Sequence, residues 1–191
     1  MKDTVDYNNT AKLLHWLPVA LIAVQFPLGW LMTPTGRDEM PTAGVNFHFS
    51  MGILILAVLT VRLGWRLLHP VGMEPSLAPW QKKLAEAAHW TLYALAFGTL
   101  LSGWAHASVH AWPIKFFGLI PIPAICPQGS ALGDYIGDLH KGFGLALLTL
   151  ISIHVAGVMF HEFVQGDNIL ARMLPRRFSG LRMRSGSPDQ A

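Results

Sequence analysis

Cysteine is almost absent. The only one is Cys126, so the chain can form no internal disulfide and no multi-cysteine metal cluster. Charge is scarce as well: Asp, Glu, Lys and Arg make up 13% of the residues, about half the share usual in soluble domains. With 52% hydrophobic residues, there are too few polar side chains to cover a water-exposed surface. No CxxC or HExxH pattern occurs, which argues against a discrete zinc or copper centre and against metal-ion transport. No internal repeat or low-complexity segment stands out either. At 191 residues the chain is read as one domain over 1–178, followed by a polar tail at 179–191.

The apolar residues gather in long runs. Leu13–Met32, Phe47–Val61, Ala87–Ile114 and Gly142–Phe160 contain no charged residue. With flanking side chains that can snorkel, each approaches the ~20 residues needed to cross a hydrocarbon core. Arg62 and Arg66 fall inside the helical extent of the second run. The expected fold is therefore an all-α, integral membrane four-helix bundle. The first ten residues are polar, the following run is too long for a signal-peptide core, and no small-residue cleavage site follows. The first span is expected to stay in the mature protein.

An even number of spans places both termini on one side. That side collects Lys2, Lys12, Arg62, Arg66, Lys82, Lys83, Arg172, Arg176, Arg177, Arg182 and Arg184. The other side holds Arg37, Lys115 and Lys141. The positive-inside rule puts both termini of this multi-pass protein in the cytoplasm. The basic tail fits juxtamembrane lipid rather than nucleic acid. The longest loop, about His106 to Tyr135, carries Pro113, Pro121, Pro123 and Pro127 and is expected to fold over the outer mouth.

Nine histidines are many for so apolar a chain. Ionisable residues inside spans are costly and usually face a bundle interior or cavity. His15 and His89 lie near the cytoplasmic starts of the first and third spans, and His48 near the outer start of the second. The fourth span carries His140, His154 and His161. Fourteen residues separate His140 from His154, close to four helical turns, which puts both on one face about 21 Å apart along the axis. His161, seven residues on, keeps that face.

This spacing suits two flat cofactors stacked at two depths. An outer site would use His48 with His140, and an inner site His154 with His15 or His89. Each pair comes from two helices, as cofactor sites in bundle cores do. Imidazole is a good haem-iron ligand, and two imidazoles fill both axial positions, leaving an iron that passes electrons but cannot bind oxygen. Gly52, Gly144 and Gly157, three or four residues after His48, His140 and His154, would let a macrocycle approach the backbone. Small residues also occur in ordinary membrane helix packing. His69, His106 and His110 are read as surface residues at interfaces or in loops.

These residues together resemble the bacterial cytochrome b561 family of small di-haem membrane cytochromes, which includes the superoxide oxidases. The resemblance runs from about Ala11 to Arg177. It rests on His15-Trp16, His48 with Gly52, Val61-Arg62-Leu63 and His89 with Tyr93. Trp112-Pro113 with Phe116 to Leu119, His140, and His154 with His161 extend it. Asp167-Asn168-Ile169-Leu170 and Arg172-Met173-Leu174-Pro175-Arg176 are the most specific segments.

The resemblance implies two b haems, with His48 and His140 ligating the outer and His15 and His154 the inner, and His89 lying nearby. It also implies quinone chemistry, with His161 as the candidate contact to a ubiquinone carbonyl. Arg62 and Arg66 would meet haem propionates or lipid phosphate. Lys141 would pair with an outer propionate or lie in the interface; a superoxide oxidase of the family has an acidic residue at that place, so this chain departs from the pattern there. The implied activity is an oxidoreductase moving electrons from superoxide to ubiquinone. Arg37, Lys115 and Lys141 give only part of the positive funnel such an anion needs, being offset by Asp38, Glu39, Asp134 and Asp138. The alternative is an electron-transfer subunit or anchor for a periplasmic redox partner, such as a hydrogenase or dehydrogenase.

Overall fold

The computed structural model describes residues 7–32, 39–70, 77–129, 133–166 and 169–174. Among these, four long helices dominate: α1 (Asn9–Leu31), α2 (Ala43–Leu68), α3 (Pro79–Val109) and α4 (Gly133–Phe160). A π-helical turn, His161–Gln165, continues α4, and a short α5 (Ile169–Met173) follows. Helix starts are chemically marked. Asn8 accepts from the Ala11 amide through its side chain, and Thr42 does the same for Val45. Pro79 opens α3, where its missing N–H costs nothing. α2 therefore begins four residues before the uncharged run, and α3 ends three residues beyond His106.

Three of the described helices are long and apolar enough to cross a membrane: α1, α2, and α4 with its π-helical extension. The two arginines do not spoil α2, in which an 18-residue stretch has a mean hydropathy of 1.8. α3 is as long but more polar. Its 87–114 run is uncharged yet carries His89, Trp90, Thr91, Tyr93 and Thr99, so absence of charge overstated its apolarity. Much large apolar surface is exposed on the bundle, including Trp30 at 70% and Leu145 at 64%, as expected where lipid replaces water.

α1 packs along α2, and α3 along α4, while contact between the two pairs is sparser and runs mainly through α2 and α3. The small core sits where the pairs meet: Ile55 and Leu59 of α2, Tyr93 and Ala96 of α3, and Leu147 of α4. At the far end α5 is fastened to α1, since the Lys12 ammonium donates to the Leu174 carbonyl at 3.0 Å and the Trp16 indole to Met173 at 2.9 Å.

The 110–129 segment is not pure loop. It contains a hairpin of two short antiparallel strands, β1 (Lys115–Phe116) and β2 (Ile120–Pro121). Phe117 and Gly118 turn it with φ of +45° and +76°, a left-handed path that glycine takes without strain. Ser50 of α2, 1% exposed, holds the hairpin down: its hydroxyl accepts from the Phe117 amide at 3.0 Å and donates to Asn46 O at 2.8 Å. Trp104 and Ser108 of α3 hold the following residues through Pro123 O and the Ile125 amide. The segment therefore covers the His48 end of the bundle. Ser50→Ala strands the Phe117 amide and is expected to cost about 1–3 kcal/mol. A thermal melt followed by circular dichroism checks this, and an unchanged midpoint contradicts it.

Candidate functional site

The histidines collect at two levels. At the His48 end, His48 of α2 faces His140 of α4 across the gap between the helix pairs, with ring centres 6.2 Å apart. His140 is tightly positioned. Its Nδ1–H donates to the Thr99 carbonyl of α3 at 2.8 Å, which leaves the Nε2 lone pair available. Its ring lies over Gly103, where an added Cβ would come within 2.9 Å. His48 lies over Gly29 of α1 in the same way, at 3.0 Å. Gln25 donates to the His48 carbonyl at 2.8 Å, while His48 Nδ1 is buried with no partner among the described residues.

At the other level, His89 of α3 and His154 of α4 have ring centres 5.4 Å apart. His15 of α1 completes the group, within electrostatic reach of both and of Arg62. Arg62 of α2 is turned into this cluster rather than outward. It donates to His15 Nδ1 at 2.7 Å, to Leu14 O at 3.1 Å and, through Nε, to the Tyr93 hydroxyl at 2.9 Å. Arg66 stacks over Trp90 and Tyr93 at 5.2 and 5.7 Å.

The remaining expected positions are mixed. His161 is half-buried and opens the π-helical turn, a distortion often found at functional sites. Lys141 is exposed and pairs with Asp138 at 3.4 Å, one turn away on its own helix. His69 is exposed and stacks on Trp65, consistent with a surface role. His106 and His110 are different. Both are half-buried, in ring contact with each other and with Trp112, so reading them as surface residues was wrong. The burial arises because α3 runs on to Val109 and α4 begins at Gly133, so both rings lie on the seam between them. Gly52 touches Gln25 and Leu100, Gly144 only grazes its neighbours, and Gly157 has nothing near it. The glycines that receive histidine rings are instead Gly29, Gly103, Gly133 and Gly137. Arg37, Asp38, Lys2, Asp167, Asn168, Pro175, Arg176, Arg177, Arg182, Arg184 and the 179–191 tail lie outside the described residues.

Two imidazoles on opposite sides of one metal, bound at about 2 Å, place their ring centres on the order of 6 Å apart, and two on adjacent sides lie closer. The His48–His140 separation fits this. Among the described residues no group of three or more His, Cys, Asp or Glu could hold an ion, so the donor set suits axial pairs rather than a tetrahedral cage.

The chain matches the prokaryotic cytochrome b561 family over residues 6–176. It belongs to that family. It is 31% identical over 175 residues to cytochrome b561 homolog 2 of Escherichia coli (strain K12), covering 91% of this chain and 93% of that one. It is 27% identical over 179 residues to cytochrome b561 homolog 1 of the same strain, covering 90% and 98%. A probable superoxide oxidase CybB of Yersinia pestis is 27% identical over 169 residues, covering 86% of this chain and 93% of its own. This cytochrome b561 is thus a multi-pass membrane cytochrome of the b type that binds haem b and transfers electrons.

Proposed function

We propose that this cytochrome b561 passes single electrons through two b haems, from superoxide at the periplasmic face of the bacterial inner membrane to ubiquinone. The observation that carries the reading is the arrangement of histidines at two levels, with His48 and His140 separated by 6.2 Å between helix pairs. His48 and His140 hold the outer haem, and His15 and His154 the inner one. Residues 1–178 form this unit, α3 supplies the fourth crossing, and both termini lie in the cytoplasm with the basic majority and its lipid contacts. Haem supplies a one-electron centre. The chain supplies ligands on both faces, a dry interior and orientation of each imidazole.

The choice of His15 over His89 rests on packing. His89 and His154 sit on the α3–α4 pair, the most closely packed of the helix pairs, which a macrocycle between them would have to part. His15 lies within electrostatic reach of His154 from the other helix pair. Arg62 donates to His15 Nδ1, so the ring proton is on Nε2. Nε2 of His15 would hold the haem with the ring proton on Nδ1, and Arg62 would then face a propionate, with Arg66, stacked on its aromatic neighbours, supporting the same charge. His161 contacts the quinone. Lys141 adds positive charge at the outer surface.

Rapid mixing of the oxidised haem-loaded protein with superoxide tests the activity. Haem reduction followed by ubiquinone reduction is expected, without an added protein. The second reading, a subunit taking electrons from a periplasmic redox protein, draws on the exposed hairpin side chains Phe117, Leu119 and Ile120. Haems that stay oxidised until such a partner is added would favour it and defeat the first.

A further inference from the structure

The seam of α3 and α4 continues beyond His140 to a second pair of imidazoles. His106 lies in the last turn of α3 and His110 caps its end four residues on, close to the spacing that puts two histidines on one helix face and that helical zinc sites use. Their ring centres are 4.3 Å apart. Each ring is pinned at Nδ1. His106 faces the Gly133 carbonyl at 3.2 Å, and His110 faces the His106 carbonyl at 2.9 Å. A carbonyl only accepts, so both Nδ1 atoms carry the proton and both Nε2 atoms keep a lone pair.

The backbone of α4 fixes the rings further. A Cβ on Gly137 would meet the His106 ring at 2.8 Å, and one on Gly133 would meet His110 at 3.3 Å. Trp112 lies against both rings, at 5.5 and 5.4 Å. Its buried indole N–H has no acceptor among the described residues. Stacking alone does not need this arrangement. Two neutral imidazoles with matched tautomers, each held by a carbonyl at the opposite nitrogen, form the outer-shell pattern of metal-binding histidines. Both rings are half-buried and stay within reach of solvent at the hairpin end.

We propose that His106 and His110 bind a divalent transition-metal ion of the imidazole-preferring class, zinc or copper(II), through their Nε2 atoms. Water completes the coordination, and the Trp112 N–H is a donor available beside it. The site is separate from the axial pairs: His106 lies one helical turn from Gly103, the residue beneath His140.

Tag-free, haem-loaded full-length protein is dialysed against Zn2+ and its metals are counted by elemental analysis. One zinc per chain is expected beyond the haem iron, lost in His106→Gln and in His110→Gln at an unchanged haem-to-protein ratio. No zinc on the parent, or zinc retained by His110→Gln, overturns the proposal. Should either variant fail to fold, Cu2+ bound to the parent decides alone. Its electron paramagnetic resonance should show hyperfine coupling to two imidazole nitrogens, and a spectrum without nitrogen ligands overturns the site.

Discussion

Gly103→Val is expected to cost the protein the haem proposed for the His48–His140 level, with no proposed ligand replaced. The wild-type ring of His140 already rests on the Gly103 backbone, where a Cβ would meet ring atoms at 2.9 Å. The ring cannot simply swing aside, because its Nδ1 is committed to the Thr99 carbonyl one turn away. Overpacking of this kind typically costs about 1–3 kcal/mol, and the cheapest relief is to give up that hydrogen bond and move the imidazole. The haem-to-protein ratio should therefore halve, as it should in His140→Ala, with the spectrum of the remaining haem unchanged. Gly142→Val is the control, since nothing lies within 4 Å of a Cβ there. Full haem content in Gly103→Val would mean that His140 is not held for a metal.

The second large effect separates two histidines that enter from the same side. His15→Ala is expected to remove the inner haem, and His89→Ala to leave it in place. The 5.4 Å contact of His89 with His154 invites the opposite expectation. Helix packing weighs against it, because ligands on the two faces of a macrocycle must come from helices the macrocycle can part. α3 and α4 interlock through His140 on Gly103, His106 on Gly137 and His110 on Gly133. Opening that seam would undo all three. Haem content and reduced spectra of the two variants check this, and full inner-haem loading without His15 would refute the assignment.

Much of this was readable beforehand. The uncharged runs marked the four long helices, and the fourteen residues from His140 to His154 marked two levels. What hid was cross-helix information. Gly103-x-x-His106 and Gly137-x-x-His140 are the same motif on two antiparallel helices, each glycine receiving the other helix's histidine. The repeat is visible in the sequence, but its meaning depends on the register of α3 against α4. The glycines chosen from local spacing, Gly52, Gly144 and Gly157, are neighbours of histidines along one helix, where side chains do not cover their own backbone. Arg62 was similarly ambiguous. A helix-end arginine can turn to lipid or inward, and only the placement of Tyr93 and His15 directs it into the cluster. The hairpin was missed because strands of two residues have no periodicity to detect.

The central claim is that two b haems sit at two levels of one small bundle. The ratio of haem b to protein in the purified chain, taken from the pyridine haemochrome spectrum and amino-acid analysis, tests it most directly. Two haems per chain is the predicted result; a ratio of one, or none, would contradict the account.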